Sequence, residues 1–226
     1  MSLVIAIDGP SGSGKSSVSR AVARHFGLGY LDTGAMYRAV TVWCLRTGVD
    51  LGDSAAVAQA TRDVPLGLGA DPDDPTVQLD GEDVADAIRT GEVSAVVSRV
   101  ATNLEVRGIL QEAQRALIEA IGEDWGGVVA EGRDITTVVA PDADVRILLT
   151  ASEAARLARR SRELHGADDA AAVAATRDQV VRRDRDDATV SRFTEAADGV
   201  VTLDTSDLDF DGSVAAVVAV VDAARQ

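Results

Sequence analysis

The segment from Leu3 to Gly27 restricts the fold of this chain more than any other. It reads LVIAIDGPSGSGKSSVSRAVARHFG, an apolar run followed by a glycine-rich loop and an amphipathic stretch. The apolar run predicts a strand that is buried on both faces. Val18, Val22 and Phe26 fall on one helical stripe, which Gly27 is placed to end. A strand, a glycine loop and a helix in this order predict a phosphate-binding loop in an α/β fold.

The loop matches the pattern G-x-x-x-x-G-K-[ST] in full. Its glycines allow backbone N–H groups and the helix N-terminus to point at phosphate oxygens. Lys15 is the only lysine among 22 Lys and Arg residues. Its compact charge can follow a moving phosphoryl group, whereas the wide arginine fork fits such a loop badly. The Ser16 hydroxyl is expected on Mg²⁺. The predicted ATP-binding residues are Gly9, Pro10, Ser11, Gly12, Ser13, Gly14, Lys15, Ser16 and Ser17.

Length and composition narrow the classes of protein that remain. The 226 residues, 46% of them hydrophobic and 3% aromatic, suit one α/β domain. A net charge of −15 argues against broad nucleic-acid or anionic-membrane binding. The single cysteine, Cys44, excludes an intramolecular disulfide and is expected to fill core. No run approaches the ~20 apolar residues of a membrane span, so we expect a cytoplasmic protein.

Motifs of guanine-reading GTPases are missing. The pattern N-K-x-D cannot occur, because the only lysine is Lys15 and the only asparagine, Asn103, lies in ATNLEVR. The segment from Asp209 to Gly212 has D-x-x-G spacing, but it precedes the final helix and is expected to be an acidic turn. Val214, Val217, Val218 and Val221 predict that this last helix packs on the sheet.

Two further segments carry candidate anion-binding residues. In YLDTGAMYR, Asp32 or Thr33 is placed to cap a helix that carries Arg38. The alternative for Arg38 is a solvated arginine. In VVAEGRD, Arg133 and Asp134 follow a buried strand, at the edge where open α/β sheets bind ligands. The alternative for Arg133 is a structural salt bridge to Asp134 or Asp32.

The acidic chain turns locally basic between positions 156 and 192. In RLARRSREL, helical spacing places Arg156, Arg159 and Arg160 on one face. A solvated amphipathic helix is the ordinary explanation of such a run. Beside a phosphate-binding loop, however, arginines are expected to neutralise the charge of a transferring phosphoryl group.

These segments together resemble the bacterial cytidylate kinase family. The resemblance rests on GPSGSGKSS, YLDTGAMYRAV, VQLDGEDVADAIRTGEVSAVVSRVA, VRGILQEAQR, EGRDITTVVAPDADVRILLTAS and RRDRDD, in family order. It implies a P-loop nucleoside triphosphate hydrolase-like three-layer α/β fold, with a five-stranded parallel sheet, helices on both faces, a monophosphate-binding insert and a lid. The single domain would comprise a core (1–32, 105–153 and 193–226), a monophosphate-binding region with insert (33–104) and a lid with the following arginine-rich helix (154–192). Within the insert, VPLGLG and TVQLDG predict short strands around the turn DPDDP.

The resemblance also implies roles for individual residues. The acceptor would be CMP or dCMP, the donor ATP with Mg²⁺, and the protein a monomer whose partners are these small molecules alone. Lys15, Arg133, Arg156 and Arg160 would be catalytic, with Arg159 as an alternative lid arginine. Arg38 and Arg133 would hold the acceptor phosphate. The remaining implied CMP-binding residues are Thr33, Ser98, Arg107 and Asp134 at the base, and Arg183 and Asp187 at the ribose.

One segment departs from the family pattern. The family shows R-D-x-x-D-S-x-R, and here Val190 stands at the closing arginine, with Arg192 two residues later as a candidate substitute. Two alternatives therefore stay open: another P-loop kinase for UMP, AMP or shikimate, and a nucleotide-sensing module without turnover. Residues 163–176 are expected to form a lid tip or a plain helix, with His165 exposed.

Overall fold

The computed structural model describes residues 2–166 and 170–225. Two sheets are formed by the strands β1 (Leu3–Asp8), β2 (Gly29–Asp32), β3 (Leu66–Leu68), β4 (Val77–Leu79), β5 (Glu82–Asp83), β6 (Gly127–Gly132), β7 (Val145–Thr150) and β8 (Val201–Asp204). They are joined by the helices α1 (Lys15–Phe26), α2 (Thr33–Thr47), α3 (Ser54–Asp63), α4 (Gly91–Ala101), α5 (Leu104–Trp125), α6 (Glu153–His165), α7 (Ala170–Asp187) and α8 (Phe210–Ala224).

The main sheet has five parallel strands in the order β2-β6-β1-β7-β8. The central strand β1 pairs with β6 from Leu3 opposite Gly127 to Asp8 opposite Gly132. All six residues of β6 are buried, as are the last four of β1. Because the strands are parallel, their carboxyl ends meet at one edge, where Asp8 and Gly132 lie side by side. The predicted fold class is confirmed.

Helices cover both faces of this sheet. On one face, α1 and α8 contribute Val22 and Val217 to a buried cluster with Ile5 and Ile147. On the other face, α5 packs Ile118 against β6. The predicted end of α1 is confirmed, since Gly27 is a left-handed C-cap with φ of 66°. The acidic turn before α8 is confirmed too, because the Asp209 carboxylate caps that helix by accepting from Gly212 N at 2.8 Å.

The segment between α2 and α5 adds the smaller sheet and α4. Strands β3, β4 and β5 are antiparallel, and the first two lie in the predicted VPLGLG and TVQLDG segments. The turn between β3 and β4 is tied to α1: Arg20 Nε and Arg24 Nη2 both donate to Pro72 O, at 3.0 and 2.9 Å. Cys44 is fully buried in a cluster between α2, α3 and α5, as expected.

The arginine-rich region consists of α6 and α7. Ser152 caps α6, since its Oγ accepts from Ala155 N at 3.3 Å. Within 163–176, the described residues are helical at 163–165 and 170–176. Residues 167–169 and the expected exposure of His165 lie outside the described residues. None of the helices that the structure describes combines the length and the hydropathy of a membrane span.

Candidate functional site

A cavity of about 360 Å³ opens at the carboxyl edge of the main sheet. Segments that are distant in the chain meet around it, namely the glycine loop, the start of α2, the end of β6, and parts of α4, α5, α6 and α7. The predicted site residues that line it are Ser11, Gly12, Gly14, Lys15, Ser16, Ser17, Thr33, Arg38, Arg107, Arg133, Asp134, Arg160, Arg183 and Asp187. The predicted residues that do not line it are Gly9, Pro10, Ser13, Ser98 and Arg156.

The glycine loop has the geometry of a phosphate cradle. Gly12 and Gly14 adopt left-handed conformations, with φ of 76° and 88°, which side chains disfavour. A Cβ on Gly12 would lie 2.5 Å from Arg156 O, so the loop also needs glycine for space. Helix α1 begins at Lys15, and its N-cap is Gly14, which has no side chain to satisfy the first N–H groups. These N–H groups are therefore available to an anion.

Glu131 joins the two functional side chains of the loop. Its Oε1 accepts from Ser16 Oγ at 2.6 Å, and its Oε2 lies 3.8 Å from Lys15 Nζ. Tyr30 Oη donates to the same Oε1 at 3.3 Å. Glu131 is 2% exposed, and this burial, with Asp32 nearby, raises the pKa of its carboxyl to about 7. Burial also lowers the pKa of Lys15, against the pull of Glu131.

Glu131 was missing from the sequence prediction, although the segment EGRD contains it. The available signal was its position: it lies directly before Gly132 at the ligand-binding end of β6, in a sheet where β6 neighbours β1. No cluster of three or more His, Cys, Asp or Glu residues suited to a metal occurs in the described part of the chain. The oxygens of Ser16 and Glu131 nevertheless fit Mg²⁺, which keeps several waters and takes most other ligands from substrate phosphates.

Arg38 is a buried cation with uncharged partners. Its Nη1 donates to Ile88 O at 2.8 Å and to Ser94 Oγ at 3.0 Å. Within 2–166 and 170–225, no carboxylate forms an ion pair with it. Burial, followed by repulsion from Arg183, lowers the pKa of Arg38 to about 9. A buried arginine of this kind attracts an anionic ligand, which favours the anion-binding interpretation over a solvated arginine.

Arg133 lies in a network of side chains from α7. Its Nη1 donates to Asp184 Oδ1 at 3.0 Å, and its Nε pairs with Asp187 Oδ2 at 2.8 Å. Its guanidinium stacks on Phe193, 4.4 Å from the ring centroid. The alternative of a salt bridge to Asp134 or Asp32 is therefore wrong in its partners, though Arg133 does form ion pairs.

Asp184 connects this network to the loop. Its Oδ1 accepts from Ser11 N at 3.1 Å, and its Oδ2 accepts from Arg156 Nη1 at 2.5 Å. Arg156 Nη1 also donates to Ser11 O at 2.8 Å. One carboxylate thus joins the loop, Arg133 and α6. The segment RRDRDD carries no local sign of a role for Asp184, because its contact with Ser11 depends on the fold.

The far end of the cavity carries the predicted base-binding residues. Asp134 Oδ2 accepts from Arg107 Nη2 at 2.6 Å and from Gln111 Nε2 at 2.7 Å. Thr33 Oγ1 donates to Glu131 O at 2.8 Å. Of the two candidate caps for α2, Asp32 is the one used, since its Oδ1 accepts from Ala35 N at 3.0 Å.

Several predicted residues lie elsewhere. Arg159 Nη1 donates to Ser13 O of the glycine loop at 3.2 Å and to Thr205 Oγ1 after β8 at 3.0 Å. Arg159 does not line the cavity, and Arg160 is the member of the arginine face that does. Ser98 is half-buried outside the lining, while Ser94, one turn earlier on α4, binds Arg38. Arg192, the candidate substitute for the arginine missing at Val190, is exposed and does not line the cavity.

Comparison with known proteins agrees with the geometry. The sequence model described as "Cytidylate kinase" matches residues 5–223. Curated proteins named cytidylate kinase include one from Streptomyces griseus, 46% identical over 99% of this chain and 94% of the relative. Another, from Streptomyces avermitilis, is 48% identical over the same shares. A third, from Nocardia farcinica, is 51% identical over 92% of this chain and 89% of the relative.

Proposed function

Because this chain belongs to the cytidylate kinase family, we propose that it transfers the γ-phosphoryl group of ATP to CMP and dCMP. The products are ADP with CDP or dCDP. The observation that supports this most directly is the cavity itself. It is lined by Lys15 and the glycine loop at one end and by Asp134 and Arg107 at the other, with buried arginines between them. A donor triphosphate and an acceptor monophosphate fit this distribution of charge.

The chemistry needs no general base. An acceptor phosphate oxygen is already a nucleophile at neutral pH, and it attacks the γ-phosphorus while the bond to the bridging oxygen of ADP breaks. Arg38 and Arg133 hold the acceptor phosphate as guanidinium forks. Lys15 and Arg160 face the cavity and screen the negative charge that spreads over the transferred group.

Ser16 and Glu131 would hold Mg²⁺, Ser16 through its hydroxyl and Glu131 through its carboxylate or a bound water. When bound, the ion neutralises charge on the donor phosphates. Glu131 has a second task that needs no metal. It accepts from Ser16 at 2.6 Å and lies 3.8 Å from the Lys15 ammonium, so it orients both groups at the start of α1.

Asp134 supplies a preference for cytosine. Its carboxylate can accept from the exocyclic amino group, while Arg107 serves the ring N3 and O2. The Thr33 hydroxyl would donate to the ring only on exchanging its bond to Glu131 O for one to the base. Uracil lacks that amino donor, so its binding leaves a buried acceptor unpaired, at a cost of ~1–3 kcal/mol. Arg183 and Asp187 bind the ribose hydroxyls. Arg183 Nε lies 3.7 Å from Asp187 Oδ2. Ser98 has no direct role here.

Residues 154–192 act as a lid over this cavity, residues 33–104 as the monophosphate-binding region, and the rest as the core. Contacts of Arg156 with the loop support the first assignment, since they connect α6 to the segment that would bind the donor phosphates. Closure excludes water, which would otherwise compete as acceptor. The protein would work as a cytoplasmic monomer, and light scattering at micromolar concentration tests its mass.

The test of the function is ADP release in a coupled assay with ATP and Mg²⁺. CMP, dCMP, UMP, AMP and shikimate are presented separately, with a reaction lacking acceptor as control. The proposal predicts the highest kcat/KM for CMP or dCMP. Preference for another acceptor would assign the chain to a different substrate. Binding of ATP without acceptor-dependent ADP release would favour a nucleotide-sensing module, with Val190 in place of arginine as the first suspect.

A further inference from the structure

The two oxygens of the Asp134 carboxylate have different environments. Arg107 Nη2 and Gln111 Nε2 both donate to Oδ2, at 2.6 and 2.7 Å. The two donors lie one turn apart on α5, at i and i+4, so they reach the carboxylate from one helix face. Across 2–166 and 170–225, no hydrogen bond is made to Oδ1. Asp134 is 5% exposed and lines the cavity, so Oδ1 is the oxygen left for a ligand.

Arg107 alone does not fix this arrangement. An arginine can bind a carboxylate with both arms of its fork, which holds both oxygens. Here the second arm is used elsewhere, because Arg107 Nη1 donates to Ala101 O at 3.1 Å. One bond from Arg107 would leave the carboxylate able to turn about its terminal bond, since this torsion is soft. The second donor, Gln111, removes that freedom.

We propose that Gln111 is a positioning residue that sets the preference of this site for cytosine over uracil. It does not line the cavity and therefore acts through Asp134. By holding Oδ2, it leaves Oδ1 directed at the exocyclic amino group of the acceptor base. The inference rests on the proposed function, since it assumes that the acceptor base lies at Asp134.

The test compares kcat/KM for CMP and UMP, at saturating ATP, in the wild type and in Gln111→Met. Methionine keeps the length of the side chain and its helix propensity but cannot donate. We expect kcat/KM for CMP to fall about tenfold, the usual scale of one hydrogen bond to a charged group. The value for UMP should stay within about twofold, since uracil has a carbonyl oxygen in place of the amino group that Oδ1 would accept from.

Gln59→Met is the matched control. Gln59 Nε2 donates to Asp63 Oδ2 at 2.9 Å on α3, away from the cavity. The control therefore loses the same kind of bond, and its ratio of CMP to UMP activity should equal that of the wild type. An unchanged KM for ATP in Gln111→Met would further support a role confined to the acceptor.

The outcomes separate this inference from the function on which it rests. A wild type that does not prefer CMP over UMP overturns both. A wild type that prefers CMP, with an unchanged ratio in Gln111→Met, overturns the role of Gln111 alone. Equal losses on CMP and UMP also overturn it, because they indicate a structural residue. Only a selective loss on CMP supports the proposal.

Discussion

The glycine loop and the arginine cluster are both suited to phosphate but are built differently. The cluster is defined as Arg38, Arg133, Arg156 and Arg183, together with Asp184, which pairs with Arg133 and Arg156. The loop occupies nine consecutive residues, 9–17, and its geometry follows from glycine conformations and the start of one helix. The cluster comes from α2, the turn after β6, α6 and α7. Its key contact, Ser11 N to Asp184 Oδ1, joins residues 173 positions apart. The loop is local and the cluster depends on the whole fold.

Substitution of Lys15 should break the loop side of this comparison with the largest effect. Lys15→Met removes the positive charge from the donor phosphates and leaves buried Glu131 without its cation. We expect kcat to fall roughly a thousandfold or more, with an unchanged far-UV circular dichroism spectrum. Lys15→Arg is the matched variant and should also lose most activity, because its planar fork fits the loop badly. Near-normal turnover in Lys15→Met would refute the assigned role.

Removal of Arg133 should break the cluster side. Arg133→Ala deprives the acceptor phosphate of one fork and releases Asp184 and Asp187, so the acceptor loses its attack geometry. We expect kcat/KM for CMP to fall roughly a hundredfold through a higher KM and a lower kcat, with the KM for ATP nearly constant. Steady-state kinetics with each substrate varied checks this.

Arg177→Ala is the control for Arg133→Ala. Arg177 on α7 pairs with Glu153 on α6, with Nη2 3.1 Å from Oε1. Both side chains are exposed, and exposed ion pairs contribute little to stability. The Arg177→Ala variant should have the kcat and KM values of the wild type. An effect of Arg133→Ala confined to ATP affinity would overturn its placement at the acceptor.

Asp184 sharpens the comparison, since it belongs to the cluster and touches the loop. Asp184→Asn keeps the shape but replaces one acceptor oxygen with a donor facing an N–H or a guanidinium. We expect about a tenfold fall in kcat, because Arg133 and Arg156 lose a charged partner and their fixed orientation. Single-turnover measurements with CMP test it. A rate equal to that of the wild type would show that the loop and the cluster act independently.

Asp8 is a buried carboxylate at the same sheet edge with no part in the chemistry, so its substitution should affect stability rather than turnover. It accepts from Ile135 N, Thr136 N and Thr136 Oγ1, at 3.0, 2.8 and 2.6 Å. Burial nevertheless raises its pKa from 3.8 to about 6. The folded protein therefore holds the proton more tightly than the unfolded chain. The raised pKa of Asp8 therefore adds to the free energy of unfolding. This stabilisation is complete below about pH 4 and is lost as the pH rises through about 6.

Asp8→Asn removes this titration. Between pH 4 and 7, the free energy of unfolding of the wild type should fall relative to that of the variant by up to roughly 3 kcal/mol. Urea unfolding of both proteins at pH 4, 5, 6 and 7 measures the difference. A difference that is constant with pH would mean that Asp8 titrates normally in the folded state.

Sequence reasoning predicted the parts of the molecule that local patterns encode. The strand, loop and helix from Leu3 to Gly27, the two strands around DPDDP and the acidic turn at Asp209 are all confirmed. For α2, the local sequence does not decide whether Asp32 or Thr33 is the cap, because both side chains cap well and only their surroundings differ. In the structure the Thr33 hydroxyl is taken by Glu131 O.

The contacts that depend on strand order escaped prediction. Ser16 and Glu131 meet because β6 lies beside β1, although 115 positions separate them. Ser94 and Arg38 meet because α4 packs on α2, and no spacing in the sequence indicates this pair. Arg192 is close to Val190 in sequence, but two residues along the chain are enough to place its side chain on the surface. Pairwise contacts between distant segments need the fold before they can be assigned.

The central claim is that one cavity brings a donor triphosphate and CMP together for direct transfer. The measurement that tests it most directly follows the label of γ-³²P-ATP in the presence of CMP and Mg²⁺, with products separated by chromatography. The account predicts that label appears in CDP in step with ADP formation and that inorganic phosphate stays at background. Label released as inorganic phosphate, or retained in ATP that is demonstrably bound, would contradict it.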